Sequence, residues 1–318
     1  MKVSVVVCTY SMDRYEPFSA AVESVLEQTH EPIELVVVVD GNPDVFERVR
    51  EDFGDVAEEG RVADLVLHDN DENHGISYSR TKGAELASGE IVAFIDDDAR
   101  AAPDWVETLM DTYERTDAIA AGGDVRPNWQ TAKPDFFPEE FYWLVGCVEP
   151  GFADDGEEVR NTYGSNISYR RDAFLEVGGY DPNTGRKGDK HLQAHEAPVG
   201  IRLLEEFDQG MHYVEDAVVC HTLFDYRGEF DWLVSRSFWQ GYSKRVMDLL
   251  YPAAPDDKSA YLNQLMTHFV PRRVKGLVRS PSVAEAKQLA SIFIFTAAVG
   301  LGYLYAVLTP NVVEKANA

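Results

Sequence analysis

Three consecutive carboxylates, Asp96, Asp97 and Asp98, are the residues whose type and spacing point most directly to chemistry. They follow the apolar run 91–95, which begins soon after Gly89 and has the composition of a buried strand. Adjacent carboxylates repel one another, so a folded chain keeps them together mainly where a cation lies among them. Because alternate side chains of an extended segment point the same way, we expect Asp96 and Asp98 to share one partner while Asp97 faces elsewhere. The alternative is a solvated acidic turn, against which the preceding apolar strand argues.

The strand before the aspartates is the fourth in a regular alternation of strands and helices. Continuous apolar runs predict three earlier strands, at 3–8, 34–39 and 63–67. Apolar residues at helical spacing predict a helix after each of them, near 18–26, 45–53 and 77–87. Strands that are apolar on both faces and alternate with helices are typical of a parallel sheet covered by helices. The predicted fold class is therefore α/β, with ligands bound at the carboxyl ends of the strands.

Two common nucleotide-binding motifs are missing from the sequence. No GxGxxG follows the first strand, which argues against a dinucleotide-binding domain, and no GxxxxGK[ST] motif indicates a kinase or an ATPase. A second acidic residue, Asp40, ends the second predicted strand. A carboxylate there is placed to accept hydrogen bonds from a nucleobase or a ribose.

The composition is strongly acidic, with 29 Lys and Arg against 55 Asp and Glu and a net charge of -26. So negative a surface makes nucleic acid an unexpected partner and suggests a cytoplasm of high ionic strength. Cys8, Cys147 and Cys220 show no metal-ligand spacing and are expected to be free thiols of a reducing compartment. The apolar run at 3–8 is too short for a signal peptide, so we expect none.

Several segments occur in an order that resembles a family 2 glycosyltransferase of the GT-A fold, over about residues 1–225. They are Val3–Tyr10, Asp40-Gly41, Asn73-x-Gly75 with Arg80, Asp96–Asp98, Gly164–Asn166, Gly178–Asp181, and Glu196 with Gly200-x-Arg202. The resemblance implies a Rossmann-like, mostly parallel sheet flanked by helices. It also implies a nucleotide-diphosphate sugar as donor, Mg²⁺ or Mn²⁺ as cofactor, and inversion of the anomeric carbon in one displacement.

The resemblance implies roles for individual residues of this sequence. Contacts with the nucleotide sugar are expected from Thr9, Asp40, Asn73, Arg80, Asp96 and Asp97. The metal ligands are expected to be Asp98, Asp96 and His221, where Asp96 also suits a ribose contact. A buried histidine with an ordinary structural role is the alternative for His221. The acceptor is expected to meet Gly164, Asn166 and Asp181, for which plain turns are the alternative.

The general base is expected in the later half of the chain, at Glu196, with Asp189 in reserve. Many relatives carry an acidic pair here, whereas this sequence reads His195-Glu196-Ala197. The alternative for Glu196 is an exposed carboxylate favoured by the dipole of a helix that begins there.

The composition changes near residue 258. Apolar residues at helical spacing in 261–270 precede a basic cluster at 272–279, which indicates either an interfacial helix on anionic lipid or a helix packed on the catalytic domain. Residues 289–308 carry no charge and reach about 30 Å as a helix, the thickness of a bilayer core. We expect one membrane-spanning helix, with a fully buried or hairpin-like helix as the alternative. Since the basic residues precede it, the catalytic domain is predicted to be cytoplasmic.

These features predict four regions. A catalytic domain at 1–228 is divided into a nucleotide-binding half, 1–100, and an acceptor half, 101–228. A helical membrane-proximal region follows at 229–287, then a transmembrane helix at 288–308 and a short tail at 309–318.

The predicted function is transfer of one sugar to a lipid-linked saccharide, on a dolichyl or polyprenyl phosphate, in surface-glycan or N-glycan assembly of a salt-adapted microbe. A processive polysaccharide synthase is the nearest alternative, disfavoured by the single span and by the absence of a clear QxxRW motif. A catalytically silent protein that binds sugar nucleotides is the alternative from another class.

The acidity of the chain gives a first prediction, on stability in salt. At molar ionic strength the screening length falls to about 3 Å, so repulsion within the folded chain should weaken. The thermal unfolding midpoint should therefore rise in molar KCl. Equal midpoints with and without KCl would contradict a salt-adapted protein.

Overall fold

A computed structural model describes residues 1–182, 196–252, 257–310 and 312–313. The chain divides into two compact units. Of the described residues, the first unit comprises 1–128, 153–182 and 196–222, and the second comprises 129–152, 223–252, 257–310 and 312–313.

The first unit is built on a mixed sheet with helices on both faces. Its strands are β1 (Val3–Thr9), β2 (Ile33–Val39), β3 (Asp64–Asp69), β4 (Ile91–Asp96), β5 (Ala99–Ala101), β6 (Ala120–Trp129), β7 (Glu158–Val159), β8 (Ile167–Arg170) and β9 (Met211–Leu223). Its helices are α1 (Tyr15–Leu26), α2 (Pro43–Phe53), α3 (Ile76–Leu86), α4 (Trp105–Arg115), α5 (Arg171–Glu176) and α6 (Glu196–Phe207).

The strand order is β3-β2-β1-β4-β8-β6-β9-β5, and β7 pairs with β9. The first four strands are parallel neighbours, with Val3 opposite both Ile33 and Ile91. This part confirms the predicted alternation of strands and helices. The pairs β4–β8, β6–β8, β5–β9 and β7–β9 are antiparallel. The α/β prediction is therefore correct, and the second half of the sheet adds antiparallel strands.

Every residue of β1 and β2 is buried, which explains why both strands are apolar at successive positions. One core cluster lies between the sheet and α1, α2 and α4, and includes Phe18, Phe53 and Trp105. The cluster on the opposite face includes Phe94 and Phe174 and lies against α3, α5 and α6. Because both faces are covered, polar ligands have access to this part of the sheet at the ends of its strands.

The second unit is helical. It contains α7 (Phe230–Leu250), α8 (Asp257–Gln264), α9 (Val270–Arg279) and α10 (Val283–Leu308), together with short 3₁₀ segments at Glu139–Val145 and Asp225–Gly228. Within the described ranges, α10 is the one helix long and apolar enough to cross a membrane. One of its faces is buried, including Ile292 and Phe295, and the other exposes large apolar side chains, among them Leu301 and Leu308.

Helices α7 and α10 approach closely at two glycines. A Cβ on Gly241 would lie 1.9 Å from the carbonyl oxygen of Val299, and one on Gly302 would lie 1.8 Å from that of Phe238. Only a residue without a side chain allows backbones so near. In the second half of α10, the backbones of α10 and α7 are therefore in direct contact.

This contact gives a second prediction, on stability. Gly302→Ala should destabilise the α7–α10 pair by about 1–3 kcal/mol, the usual cost of overpacking. The matched control is Gly300→Ala on the same helix, where an added Cβ meets no atom within 4 Å. Thermal unfolding of the full chain in detergent, followed by circular dichroism, should show a lower midpoint for Gly302→Ala only. Equal midpoints for the two variants would contradict the close contact.

Candidate active site

The aspartate cluster lies at the junction of β4 and β5, where the parallel part of the sheet ends. Asp96 is the last residue of β4, and β5 pairs with β9 so that Ala99 lies opposite His221. Asp96, Asp98 and His221 each offer a ligand atom, and the three atoms lie within 4.8 Å of one another. His221 Nε2 is 3.1 Å from Asp98 Oδ1, and both side chains are buried. Two carboxylates and an imidazole at this spacing fit a small divalent cation.

Asp97 is not one of the three converging groups. The side-chain alternation expected of an extended segment does not apply here, because residues 97–98 form a turn and Asp97 and Asp98 both contact Arg14. Thr9 Oγ1 donates to Asp97 Oδ2 over 3.4 Å, and Arg14 Nη1 pairs with Asp97 Oδ1 at 2.7 Å. Arg14 Nη2 also lies 3.3 Å from Asp98 Oδ2. Burial, together with the charges of Asp98 and Asp96, raises the pKa of Asp97 to about 7, and Arg14 opposes this rise. Arg14 therefore compensates part of the negative charge of the cluster.

A second arginine, which is buried, links the aspartates to the predicted base. Arg80 is 2% exposed, and its Nη2 pairs with Asp96 Oδ1 and donates to the Gly164 carbonyl oxygen at 2.8 Å. The Gly164 N–H donates to Glu196 Oε1 at 3.1 Å, where α6 begins. Although burial lowers the pKa of Arg80, Asp96, Tyr180 and Glu196 raise it more, so Arg80 remains charged. One network thus joins Asp96, Arg80, Gly164 and Glu196.

Gly164 has no room for a side chain in this network. A Cβ there would lie 2.4 Å from both Arg80 Nη1 and Glu196 Oε1. The sequence predicted Gly164 as an acceptor contact, a role that stays a prediction. The structure places it as the link between Arg80 and Glu196.

Asp40 organises the loop between β3 and α3. Its Oδ1 accepts from Asn70 Nδ2 at 2.7 Å and from the His74 N–H at 2.9 Å, and its Oδ2 accepts from the Gly75 N–H at 2.8 Å. Asn73 Nδ2 donates to the Asp40 carbonyl oxygen over 3.4 Å. Asp40 and Asn73, both predicted nucleotide contacts, are thereby brought together where β2 ends. Contact with the nucleotide sugar stays a prediction for both.

Two predicted acceptor contacts lie in different surroundings. Asn166 is fully buried; its Nδ2 donates to the carbonyl oxygens of Asp124 and Ala217, and its Oδ1 accepts from Trp105 Nε1 at 2.8 Å. Its side chain therefore joins elements of the fold. Asp181 is half-buried and lies one residue before the end of the described stretch 1–182. The reserve base Asp189 lies outside the described residues.

Three residues of this region, Arg14, Asn70 and Trp105, were not predicted from the sequence. Arg14 follows the first strand by five positions, and a cation was already expected beside the aspartates, so this signal was available. Asn70 bridges Asp40 and Ser79, and Trp105 binds Asn166. Both act through contacts between residues distant in sequence, for which no local pattern exists.

Residues 4–178 match the family described as Glycosyl transferase family 2. The chain belongs to this family. Over 318 residues, and 100% of both chains, it is 68% identical to the glucosyl-dolichyl phosphate glucuronosyltransferase of Haloferax volcanii. A putative glycosyltransferase of Bacillus subtilis, EpsH, is 33% identical over 118 residues, which is 37% of this chain and 32% of that protein. The protein is therefore a glycosyltransferase.

Solved structures show the same fold at low sequence identity. A mannosyltransferase of Pyrobaculum calidifontis, solved with GDP-Man and Mn²⁺, has a TM-score of 0.60 and 17% identity, covering 96% of this chain and 87% of that one. S. aureus TarS, solved with UDP-GlcNAc, has a TM-score of 0.52 and 16% identity, covering 94% and 82%. The predicted GT-A architecture of this family 2 glycosyltransferase is confirmed.

The position of Gly164 gives a third prediction, on catalysis. Gly164→Ala should lower kcat about 100-fold, because the added methyl group must displace Arg80 or Glu196 and misplacement by about 1 Å has an effect of this size. Donor affinity, measured separately by calorimetry, should change less than kcat. Gly300→Ala is the control for an added methyl group without contacts. Unchanged kcat in Gly164→Ala would contradict the role of the network.

Proposed function

We propose that the protein transfers glucuronic acid from a nucleotide-diphosphate donor to the glucose of a glucosyl-dolichyl phosphate. The observation that carries this proposal is the 68% identity with the Haloferax volcanii enzyme over the whole of both chains. The continuous network from the aspartates to Glu196 supports it, because a single displacement needs a donor site and a base in one constellation.

The cofactor is proposed to be Mg²⁺ or Mn²⁺, held by Asp96, Asp98 and His221. When bound, the cation contributes Lewis acidity, which stabilises negative charge on the diphosphate leaving group. The donor set fits, since two carboxylates and one imidazole leave positions for phosphate oxygens. The mannosyltransferase of the same fold was solved with Mn²⁺.

The protein itself supplies the base and its orientation. Glu196 takes the proton from the attacking hydroxyl of the acceptor onto its carboxylate, while the Gly164 N–H holds Oε1 in place. Arg80 fixes the other end of the network through Asp96 and Gly164. Because one carboxylate acts as base and no covalent intermediate is required, the anomeric configuration is inverted.

The nucleotide is proposed to lie along the carboxyl ends of β1, β2 and β4. Thr9, Asp40 and Asn73 come from the ends of the first two strands and the loop beside them. Asp97 completes this side of the site. Since parallel strands end at one edge, these groups are brought together by the topology and not by sequence proximity.

The reaction is proposed to take place at the cytoplasmic face of the membrane. Nucleotide sugars are made in the cytoplasm, and α10 provides an apolar helix that fits a lipid-borne acceptor. The basic residues before α10 favour a cytoplasmic position for the preceding chain.

The proposal is tested with purified full-length protein, glucosyl-dolichyl phosphate and UDP-glucuronic acid in the presence of Mn²⁺. Mass spectrometry should show addition of one glucuronic acid, and UDP-glucose or GDP-mannose should give little product. Chelation of the cation should abolish transfer. Efficient transfer of a different sugar would contradict the proposed donor, and transfer in the presence of excess chelator would contradict the cofactor.

The fourth prediction concerns the base. Glu196→Gln should reduce transfer about 10²–10⁴-fold. The amide oxygen of glutamine can accept the hydrogen bond from the Gly164 N–H, but the amide cannot act as a base toward the acceptor hydroxyl. Donor binding should be nearly unchanged. Glu205→Gln, a substitution at an exposed carboxylate of the same helix, is the matched control. Near-normal transfer by Glu196→Gln would remove Glu196 from the mechanism.

A further inference from the structure

Residues 257–279 form one helical run in the second unit. The run consists of α8, a π-helical segment at Leu265–Phe269, and α9. The backbone keeps right-handed helical angles at both junctions, Gln264 and Val270. Side chains four residues apart drift by about 40° per step around an α-helix. A π-helical turn holds more residues than an α-helical turn and reduces this drift, so a four-residue spacing follows one side of the run.

One side of the run is fixed to its own unit. Leu265 and Phe269 are buried, and the Tyr261 hydroxyl donates to the Glu140 carbonyl oxygen at 2.7 Å. Four residues beyond Phe269, the Arg273 guanidinium makes two hydrogen bonds of 2.9 Å to the Glu140 carboxylate. This paired geometry fixes both the position of α9 and its rotation about its axis.

The outward side carries an apolar stripe at the same spacing, which we name the outer stripe: Leu262, Met266, Val270, Val274 and Val278. Val270 is half-buried, and the other four are 46%, 52%, 44% and 76% exposed in chain order. A row of exposed apolar side chains on a helix whose other side is bound indicates an interaction surface.

Basic residues flank the outer stripe. Arg272, Lys275 and Arg279 are all exposed. Residues 261–308 contain five Lys and Arg against one Asp or Glu, whereas the whole chain has 29 against 55. The stripe therefore lies in a basic segment of an otherwise acidic protein, which indicates an anionic partner.

The outer stripe belongs to the same helical assembly as the apolar helix. Arg273 Nη1 donates to Gln288 Oε1 at 2.6 Å and lies 3.4 Å from Glu285 Oε2, so α9 is bound to the first turns of α10. Large apolar side chains are exposed farther along α10, including Phe293 and Leu304. An apolar stripe with basic flanks beside a membrane helix has the composition of an interfacial helix.

We propose that the outer stripe lies in the headgroup layer of a bilayer that contains anionic lipids, with Arg272, Lys275 and Arg279 bound to lipid phosphates. A second copy in a symmetric contact would bring the same basic flanks together. An acidic soluble protein would match their charge but leave the apolar stripe in a polar contact. An anionic leaflet matches both properties. This attachment does not depend on which sugar is transferred.

The test places an environment-sensitive fluorophore on the outer stripe of the full-length protein. The label is attached at Val278→Cys in a Cys220→Ser background, because Cys220 is exposed while Cys8 and Cys147 are buried. The protein is reconstituted into liposomes of phosphatidylcholine alone or with phosphatidylglycerol, and quenching by brominated acyl chains is measured. With the anionic lipid, we expect a blue-shifted emission and strong quenching.

Charge reversal separates lipid attachment from simple exposure of the label. Each basic residue contributes about fivefold to attachment at an anionic surface, so R272E/K275E/R279E should weaken it at least about 100-fold and abolish the quenching. The control R50E/R61E/R115E reverses three arginines of the first unit and should leave the quenching unchanged.

Two results would overturn the proposal. One is equal emission and quenching in both kinds of liposome, with no effect of the triple reversal at 272, 275 and 279. The other is a blue shift in detergent without lipid that increases with protein concentration, which would assign the outer stripe to a second copy of the chain.

Discussion

The repulsion among three adjacent carboxylates at the end of β4 is the constraint on which the site depends. Asp97 and Asp98 are buried, and Asp96 is half-buried, so water screens their charges poorly. Arg14 and Arg80 approach the cluster from two directions, through Asp97 and Asp98 on one side and Asp96 on the other. Each arginine therefore offsets part of the repulsion and also fixes the direction of a carboxylate. The side of the cluster formed by Asp96, Asp98 and His221 is the one whose ligand atoms converge.

The mixed topology of the sheet explains how one site combines these groups. Parallel strands β1, β2 and β4 end at the same edge and supply Thr9, Asp40 and the aspartates. In a purely parallel sheet, a further crossover connection would be needed to bring a strand from the later part of the chain to this edge. The antiparallel pairing of β5 with β9 instead brings His221 opposite Ala99, one residue after the aspartates. The antiparallel half of the sheet thus brings the imidazole of His221, from the last strand of the first unit, beside the aspartates.

Features encoded locally could be predicted from the sequence, and features encoded by long-range contacts could not. The strands around Val36 and Phe94 follow from continuous apolar runs in the sequence. Arg80 was expected as a nucleotide contact, and its hydrogen bond to the carbonyl oxygen of Gly164, 84 positions later in the chain, could not be predicted. The same holds for Asn166, whose three partners lie on separate segments.

The grouping of residues 129–152 with the helices after 222 is another feature that long-range contacts encode. Composition gives no sign of it, because it depends on contacts such as the pairing of Glu140 with Arg273, 133 positions later. That pair also distinguishes Arg273 from the other basic residues of the cluster at 272–279. The charge of Arg273 is balanced by Glu140 inside the unit, while the neighbouring basic side chains remain exposed. A count of basic residues alone would treat all four as equivalent.

The acidity of the whole chain would oppose the proposed donor, which carries a diphosphate and a carboxylate. The conflict is resolved because the surface charges and the charges at the site act over different distances. Charges spread over the surface act across many ångströms and are screened at molar salt, where the Debye length is about 3 Å. The pairs made by Arg14 and Arg80 are direct contacts in partly buried surroundings, which salt screens less. A strongly acidic protein can therefore bind an anionic substrate when its compensating charges are few, at least partly buried and in contact with the site.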